Sequence, residues 1–151
     1  MPLARRRKFV LDTNCYVDAA RNEIAAKALE KFSAAAAPGL YMSAVVASEL
    51  RAGASDMARL ERDVITPFLK RDRVLTPSDV SWTILGTTLA KLRKSEGLVL
   101  KQVPRTLLLD ILIAHSCREA GATLISRNSE DMRRIGRVFS FEYEEPYPAR
   151  W

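Results

Sequence analysis

Short apolar runs alternate along the chain with longer stretches whose apolar positions recur at helical spacing. Phe9, Val10 and Leu11 form the first run and read as a short buried strand over 8–11. Thr13 and Asn14 can cap a short helix reaching Arg21, and the alanine-, leucine-, glutamate- and lysine-rich segment 23–36 predicts a second helix. Pro38-Gly39 ends it, and LYMS (40–43) is a second strand. Ser43 caps a helix over AVVASELRAG that stops at Gly53, another helix runs over 55–69, and RVLT (73–76) is a third strand. TPSD (76–79) carries a helix-start signature, with Thr76 as cap and Pro77 at the first helical position. Trp82, Leu85, Leu89 and Leu92 then place one face of that helix on the core. After a cationic loop over 97–106, Thr106 opens a strongly apolar helix that ends at Gly121. ATLIS (122–126) is a fourth strand, RNSEDMRRIG a short helix, and VFSFEY (138–143) a last strand. Strands alternating with helices argue for a parallel-type sheet covered on both faces. The expectation is one α/β domain over 1–151, with a short basic extension (1–7) and an aromatic, acidic tail (144–151).

Composition narrows the chemistry. The chain has 151 residues, 48% apolar and 28% charged, as an ordinary single globular domain has. No apolar run is long enough to cross a membrane, and MPLARRRKF lacks the apolar stretch of a secretory signal. Two cysteines, Cys15 and Cys117, make neither a metal spacing nor a disulfide framework, so a reducing cytoplasm is the expected location. The 24 basic residues exceed the 18 acidic ones by 6, which suits a polyanion such as RNA or DNA but also an ordinary solvated surface. A single histidine, His115, argues against histidine-based metal sites, Ser-His-Asp triads and histidine acid/base pairs. Catalysis, if present, falls to carboxylates, hydroxyls, amides or a metal.

Four acids sit where apolar sequence makes them conspicuous. Asp12 ends the first strand, and ligands of open α/β sheets lie outside the carboxyl ends of strands. It either caps the next helix or faces a ligand. Glu49 lies in AVVASEL, where Val45, Val46 and Leu50 turn the helix partly to the core; a solvated glutamate is the plain alternative. Asp110 lies in LLLDILIA, too far into its helix to cap it, where an isolated carboxylate is costly. Asn128 and Asp131 follow the fourth strand in LISRNSEDM, with Asp131 otherwise an ordinary first-turn acid. In a parallel sheet Asp12 and Asn128/Asp131 fall on one edge. Converging carboxylates repel one another and imply a bound cation. All-oxygen ligation points to Mg²⁺ or Mn²⁺, and such an ion on a basic protein suggests phosphodiester chemistry. Arg51, Lys101, Arg105 and Arg127 flank these acids and are the candidate cations for a phosphate backbone, whether of RNA or DNA.

FVLDTNCYVD, SAVVASELRAG and LLLDILIAHSCREAGATLISRNSEDM together resemble PIN-domain nucleases, and within them the VapC-type toxins of bacterial toxin–antitoxin pairs. The resemblance implies an Mg²⁺- or Mn²⁺-dependent endoribonuclease with a small, mostly parallel sheet between helical layers. It places the family's acids on Asp12, Glu49, Asp110 and Asp131, as both catalytic and metal-binding residues. Thr13, Asn14, Ser126 and Asn128 fall on the supporting polar positions. It further implies an RNA substrate for the four flanking cations, a homodimer and a small cognate antitoxin. The family's last motif often has phenylalanine after the aspartate, whereas Met132 stands here. Two other readings compete. LDTN is similar to phosphotransferases with a second aspartate two residues on, but Asn14 occupies that position. A PIN-like module that binds nucleic acid or an antitoxin without cleaving is the non-enzymatic alternative.

Overall fold

A computed structural model describes residues 6–151; most of the basic extension therefore lies outside the described residues. Five strands, β1 (Lys8–Leu11), β2 (Leu40–Ser43), β3 (Val74–Leu75), β4 (Ala122–Ile125) and β5 (Tyr143–Glu144), form a sheet in the order β3-β2-β1-β4-β5. Every neighbouring pair is parallel. β1 lies in the middle, with Phe9 beside Leu40 on one flank and Thr123 on the other.

The two faces of the sheet follow from the period-two alternation of strand side chains. Phe9 and Leu11 of β1, Leu40 of β2 and Ile125 of β4 pack against Cys15 of α1 (Thr13–Arg21) and Phe32 and Ala36 of α2 (Glu23–Ala36). Val10, Met42, Ala122 and Leu124 point the other way, onto α3 (Ala44–Gly53) and α7 (Arg105–Ala120). Because both faces are covered, the central strands read as unbroken apolar runs. The result is the expected three-layer α/β/α arrangement. α6 (Asp79–Glu96) and α8 (Ser129–Gly136) add a further cluster outside α7, around Leu92, Leu107, Ile111 and Ile135. Two glycines serve this geometry: Gly39 passes so close to the Arg7 carbonyl that a Cβ would collide with it, and Gly121 ends α7 at φ 66°. Among the described residues no helix is long and apolar enough to cross a membrane.

Several boundaries differ from those the sequence predicts. The expected helix over 55–69 is broken into α4 (Met57–Leu60), a π-type turn (Glu61–Ile65) and α5 (Thr66–Lys70). Pro67, at the start of α5, has no N–H to give to the preceding turn. Ser78, not Thr76, caps α6, in a reciprocal capping box with Ser81. Ser81 is fully buried and sets the inward face as 81, 85, 88 and 92, so Trp82 is turned aside and stands 58% exposed. α7 begins at Arg105 after Pro104, one residue before the expected Thr106. The last strand is only Tyr143–Glu144, because Val138 and Phe139 donate back to Ile135 in the turn that closes α8. In the tail, Tyr147 stacks on Phe32 with ring centroids 5.1 Å apart, while Trp151 is exposed.

Candidate active site

The site assembles on the sheet's carboxyl edge. Asp12 leaves β1 with its backbone N–H donating to the Ile125 carbonyl at 2.8 Å, which fixes it beside the end of β4. One carboxylate oxygen accepts the Thr13 N–H at 2.8 Å, capping α1. The other accepts the Ser126 hydroxyl at 2.7 Å and the Asn14 amide at 3.3 Å. Asp12 therefore caps its helix with one oxygen and faces its polar neighbours with the other. It is 3% exposed, and burial raises its pKa, with the Ser126 and Thr13 hydrogen bonds opposing the rise.

Glu49 arrives on α3. Ser43 caps that helix by accepting the Val45 and Val46 N–H groups, and burial of Val45, Val46 and Ala47 fixes its roll. Thr13 Oγ1 donates to Glu49 Oε1 at 2.8 Å, joining α3 to α1. Partial burial raises the Glu49 pKa; the Thr13 bond lowers it, the Asp12 charge raises it, and Arg105 lowers it. Asp110 is the sixth residue of α7 and is held at 7% exposure by its leucine and isoleucine neighbours. Burial first, then the charges of Asp12, Asp131 and Glu49, push its pKa up to about 8, against one lowering hydrogen bond from Asn128. Asn128 joins the last two acids, its amide donating to Asp131 at 2.9 Å and Asp110 at 3.4 Å. Its backbone N–H donates to Ser126 Oγ at 3.0 Å.

A continuous path of hydrogen bonds thus runs from Glu49 through Thr13, Asp12, Ser126 and Asn128 to Asp110 and Asp131. Five elements or their ends contribute: β1, α1, α3, α7 and the β4–α8 junction. Among the described residues none of the four acids forms a salt bridge, and no three acidic, histidine or cysteine side chains converge tightly enough to hold a metal as they stand. Hydroxyl and amide donors stand between them.

The four flanking cations are placed differently from one another. Arg51 is engaged by Glu61 in a bidentate pair. Arg127 donates to Asp18 at 2.7 Å, and its backbone N–H donates to Asn14 Oδ1 at 3.2 Å. Arg105, exposed at the start of α7, acts on Glu49 through its charge. Lys101 is exposed in a 3-10 turn (Leu100–Gln102). Asp18, which holds Arg127, was not conspicuous in the sequence. Its position four residues after Asn14, on the same face of α1, is the signal that points to it. Met132 is fully buried in the core, so methionine fills the place after Asp131 without opening the helix.

A family model described as PIN domain matches residues 9–138. No curated protein sequence matches the chain. Among solved structures, VapBC from Salmonella typhimurium bound to DNA is similar at 21% identity and TM-score 0.66, covering 93% of this chain and 99% of that one. FitAcB from Neisseria gonorrhoeae matches at 19% identity and TM-score 0.64, over 91% and 97% of the two chains. VapBC2 from Rickettsia felis, bound to a promoter DNA fragment, matches at 22% identity and TM-score 0.60, again over 91% and 97%.

Proposed function

The chain belongs to the PIN domain family, and from that premise we propose that it is a divalent-metal-dependent endoribonuclease, the toxin of a VapBC-type pair. One observation carries the reading: four acids from separate elements share a hydrogen-bonded edge with no salt-bridged cation among the described residues. Asp12, Glu49, Asp110 and Asp131 offer only oxygen donors, the set that suits Mg²⁺ or Mn²⁺. Their mutual repulsion is the force that a cation relieves by drawing them together. A divalent ion held there supplies polarisation of a phosphodiester and activation of a water nucleophile. Asp12, Glu49, Asp110 and Asp131 would together hold the ion. Thr13, Asn14, Ser126 and Asn128 fix carboxylate orientation, as outer partners of metal ligands do. Arg105, whose charge reaches Glu49, and Lys101 are the proposed phosphate contacts, and Arg127 and Arg51 serve the substrate after exchanging their present carboxylate partners.

The antitoxin reading rests on a groove of about 1180 Å³ between α1–α2 and α3–α5. Leu29, Leu50, Leu60, Pro67 and Phe68 give it apolar walls, and Arg59, Asp63 and Arg71 give it a charged rim. Tyr16 also lines it, and its buried hydroxyl has no hydrogen-bond partner among the described residues. A partner segment with apolar anchors fits there. Two of the similar solved structures are named as VapBC and FitAcB, which favours a partner-bound assembly here as well.

A labelled single-stranded RNA incubated with protein in MnCl₂, MgCl₂ or EDTA tests the reading. Cleavage with either metal, none in EDTA, and loss in Asp110→Asn beyond the ~10–100-fold typical of outer partners is the expected result. The non-catalytic module is the second reading, favoured by the spacing of the acids without metal. Tight RNA or antitoxin binding with no metal-dependent cleavage establishes it and rejects the nuclease.

A further inference from the structure

At the outer edge of the sheet, α8 and the chain leading into β5 border an open pocket of about 340 Å³. Its lining is Arg133, Gly136, Arg137, Ser140, Phe141 and Tyr143. Arg133 and Arg137 are one helical turn apart, both exposed, and neither forms a salt bridge among the described residues. Their neighbour Arg134 differs: it is held by Glu96 at 2.6 Å. A cation at a helix C-terminus is favourable on its own account, but that does not explain the aromatic floor. Phe139, Phe141 and Tyr143 form a ladder with ring centroids 5.6 and 5.2 Å apart, and the last two are only half-buried. The backbone carbonyls of Glu142 and Glu144 accept from Leu124 and Ser126, which holds this segment extended and sets Phe141 and Tyr143 on one side. Gly136 stands over those two rings; a Cβ there would lie 3.7 Å from Tyr143 and 4.0 Å from Phe141. Beside it, Phe141 and Tyr143 keep part of their ring surface exposed.

We propose that this pocket binds one nucleotide of a single-stranded RNA, its phosphate between Arg133 and Arg137 and its base against Phe141 and Tyr143. The proposal rests on the RNA reading above, since charge with interleaved aromatic surface is how single strands are held without sequence readout. α8 has eight residues, about 12 Å of helix, with Asn128 just before its first turn and Gly136 at its end. The pocket therefore grips a nucleotide flanking the one at the acids. It acts as a second anchor on the strand.

The test uses the full-length protein in EDTA with a fluorescein-labelled twelve-nucleotide RNA, and the same RNA carrying 2-aminopurine. Arg133→Ala with Arg137→Ala weakens binding roughly tenfold and lowers the log-affinity against log-salt slope by about 0.7, the value for one single-strand phosphate. Gly136→Gln covers the rings; it weakens binding with an unchanged slope and abolishes 2-aminopurine quenching. A thermal melt of Gly136→Gln at the wild-type temperature shows that the helix tolerates a side chain there, where an added Cβ makes only ordinary contacts. Wild-type affinity and slope in both disruptive variants overturn the pocket while leaving the nuclease reading intact. Binding that responds as described in a protein that cleaves nothing rejects the nuclease and keeps the pocket. A DNA twelve-mer bound and quenched as well as the RNA overturns the assignment to RNA.

Discussion

Asp110 lies among leucines and isoleucines six residues into α7, where repulsion from Asp12, Asp131 and Glu49 adds to the cost of burial. The sign of its effect on stability follows from linkage. Unfolded, the group titrates near its ordinary 3.8; folded and metal-free, it holds its proton up to about 8. Its favourable contribution is complete below about pH 4 and is lost as pH rises through about 8, since unfolding releases a proton across that window. The raised Asp12 and Glu49 groups act in the same direction. Thermal melts in EDTA should therefore show stability falling between pH 4 and 8, and Asp110→Asn should flatten the fall. The variant should be as stable as wild type at pH 8, or more so, while losing cleavage. A loss of ~2 kcal/mol or more in the metal-free variant would identify Asp110 as a satisfied structural acid instead. At this scale the sequence was informative, because a carboxylate inside an apolar run has few inexpensive explanations. It was less so for the arginines. Local sequence can mark Asp18 through its spacing from Asn14 but does not show that it pairs with Arg127, nor that Arg51 pairs with Glu61, since each pair depends on how separate helical segments or strand ends meet.

Elements determine how firmly those residues are presented. α3 owes its start to Ser43, which satisfies two otherwise orphaned N–H groups, and Glu49 sits on that helix. Ser43→Ala should cost about 1 kcal/mol, or roughly 2–4 °C in melting temperature. It should also lower cleavage more than a surface variant of equal stability, because Glu49 loses its fixed approach to Thr13. The tail is a second such element. Tyr147 stacks on Phe32, Glu144 pairs with Arg7 at 3.1 Å, and the Arg150 carbonyl accepts from Arg7 at 3.1 Å, tying the end of the chain across β1 to α2. Tyr147→Ala should lower stability by ~1–2 kcal/mol in a denaturant titration, an aromatic pair being worth ~0.5–1.5 kcal/mol beyond its area. An unchanged midpoint would mean that the tail rests on the domain without supporting it. Strand and helix identity were legible along nearly the whole chain, since apolar runs and helical spacing are local signals. Three features were not: the break at Glu61–Ile65, the turn of Trp82 to solvent and the shortness of β5. The turn of Trp82 is decided by tertiary neighbours, Ser81 with His115 and Glu119, whereas the other two depend on backbone hydrogen bonding at Pro67 and in the turn closing α8, which apolar periodicity does not report.

At the scale of the molecule, exposed apolar side chains and the shared acidic edge make separate demands. Ile24, Met57 and Leu69 stand 81%, 46% and 53% exposed along the helices between Glu23 and Leu69, where a homodimer interface is expected. Light scattering at micromolar concentration should give twice the 16.9 kDa chain mass, and a monomer alone would reject the dimer. The sequence predicted a parallel-type sheet but not its β1-centred strand order, because no local pattern states which strand neighbours which. Even so, parallel connection was sufficient to place Asp12 and Asn128/Asp131 on one edge, and that prediction is what makes metal linkage measurable. If the acids hold Mg²⁺ with a dissociation constant of order 1 mM, ~10 mM of the ion should stabilise the fold by roughly 1.4 kcal/mol, or about 3–6 °C. The gain arises because the ion binds the assembled edge and not the unfolded chain, in which the four acids are far apart. Asp110→Asn should lose most of it, since the variant has already shed the repulsion that the ion relieves. Asp79, an acid at the opposite end of the apolar helices, should keep the full gain when changed to asparagine, so a general effect of salt is separated from binding at the edge. Equal gains in all three proteins would mean that the acids do not share an ion.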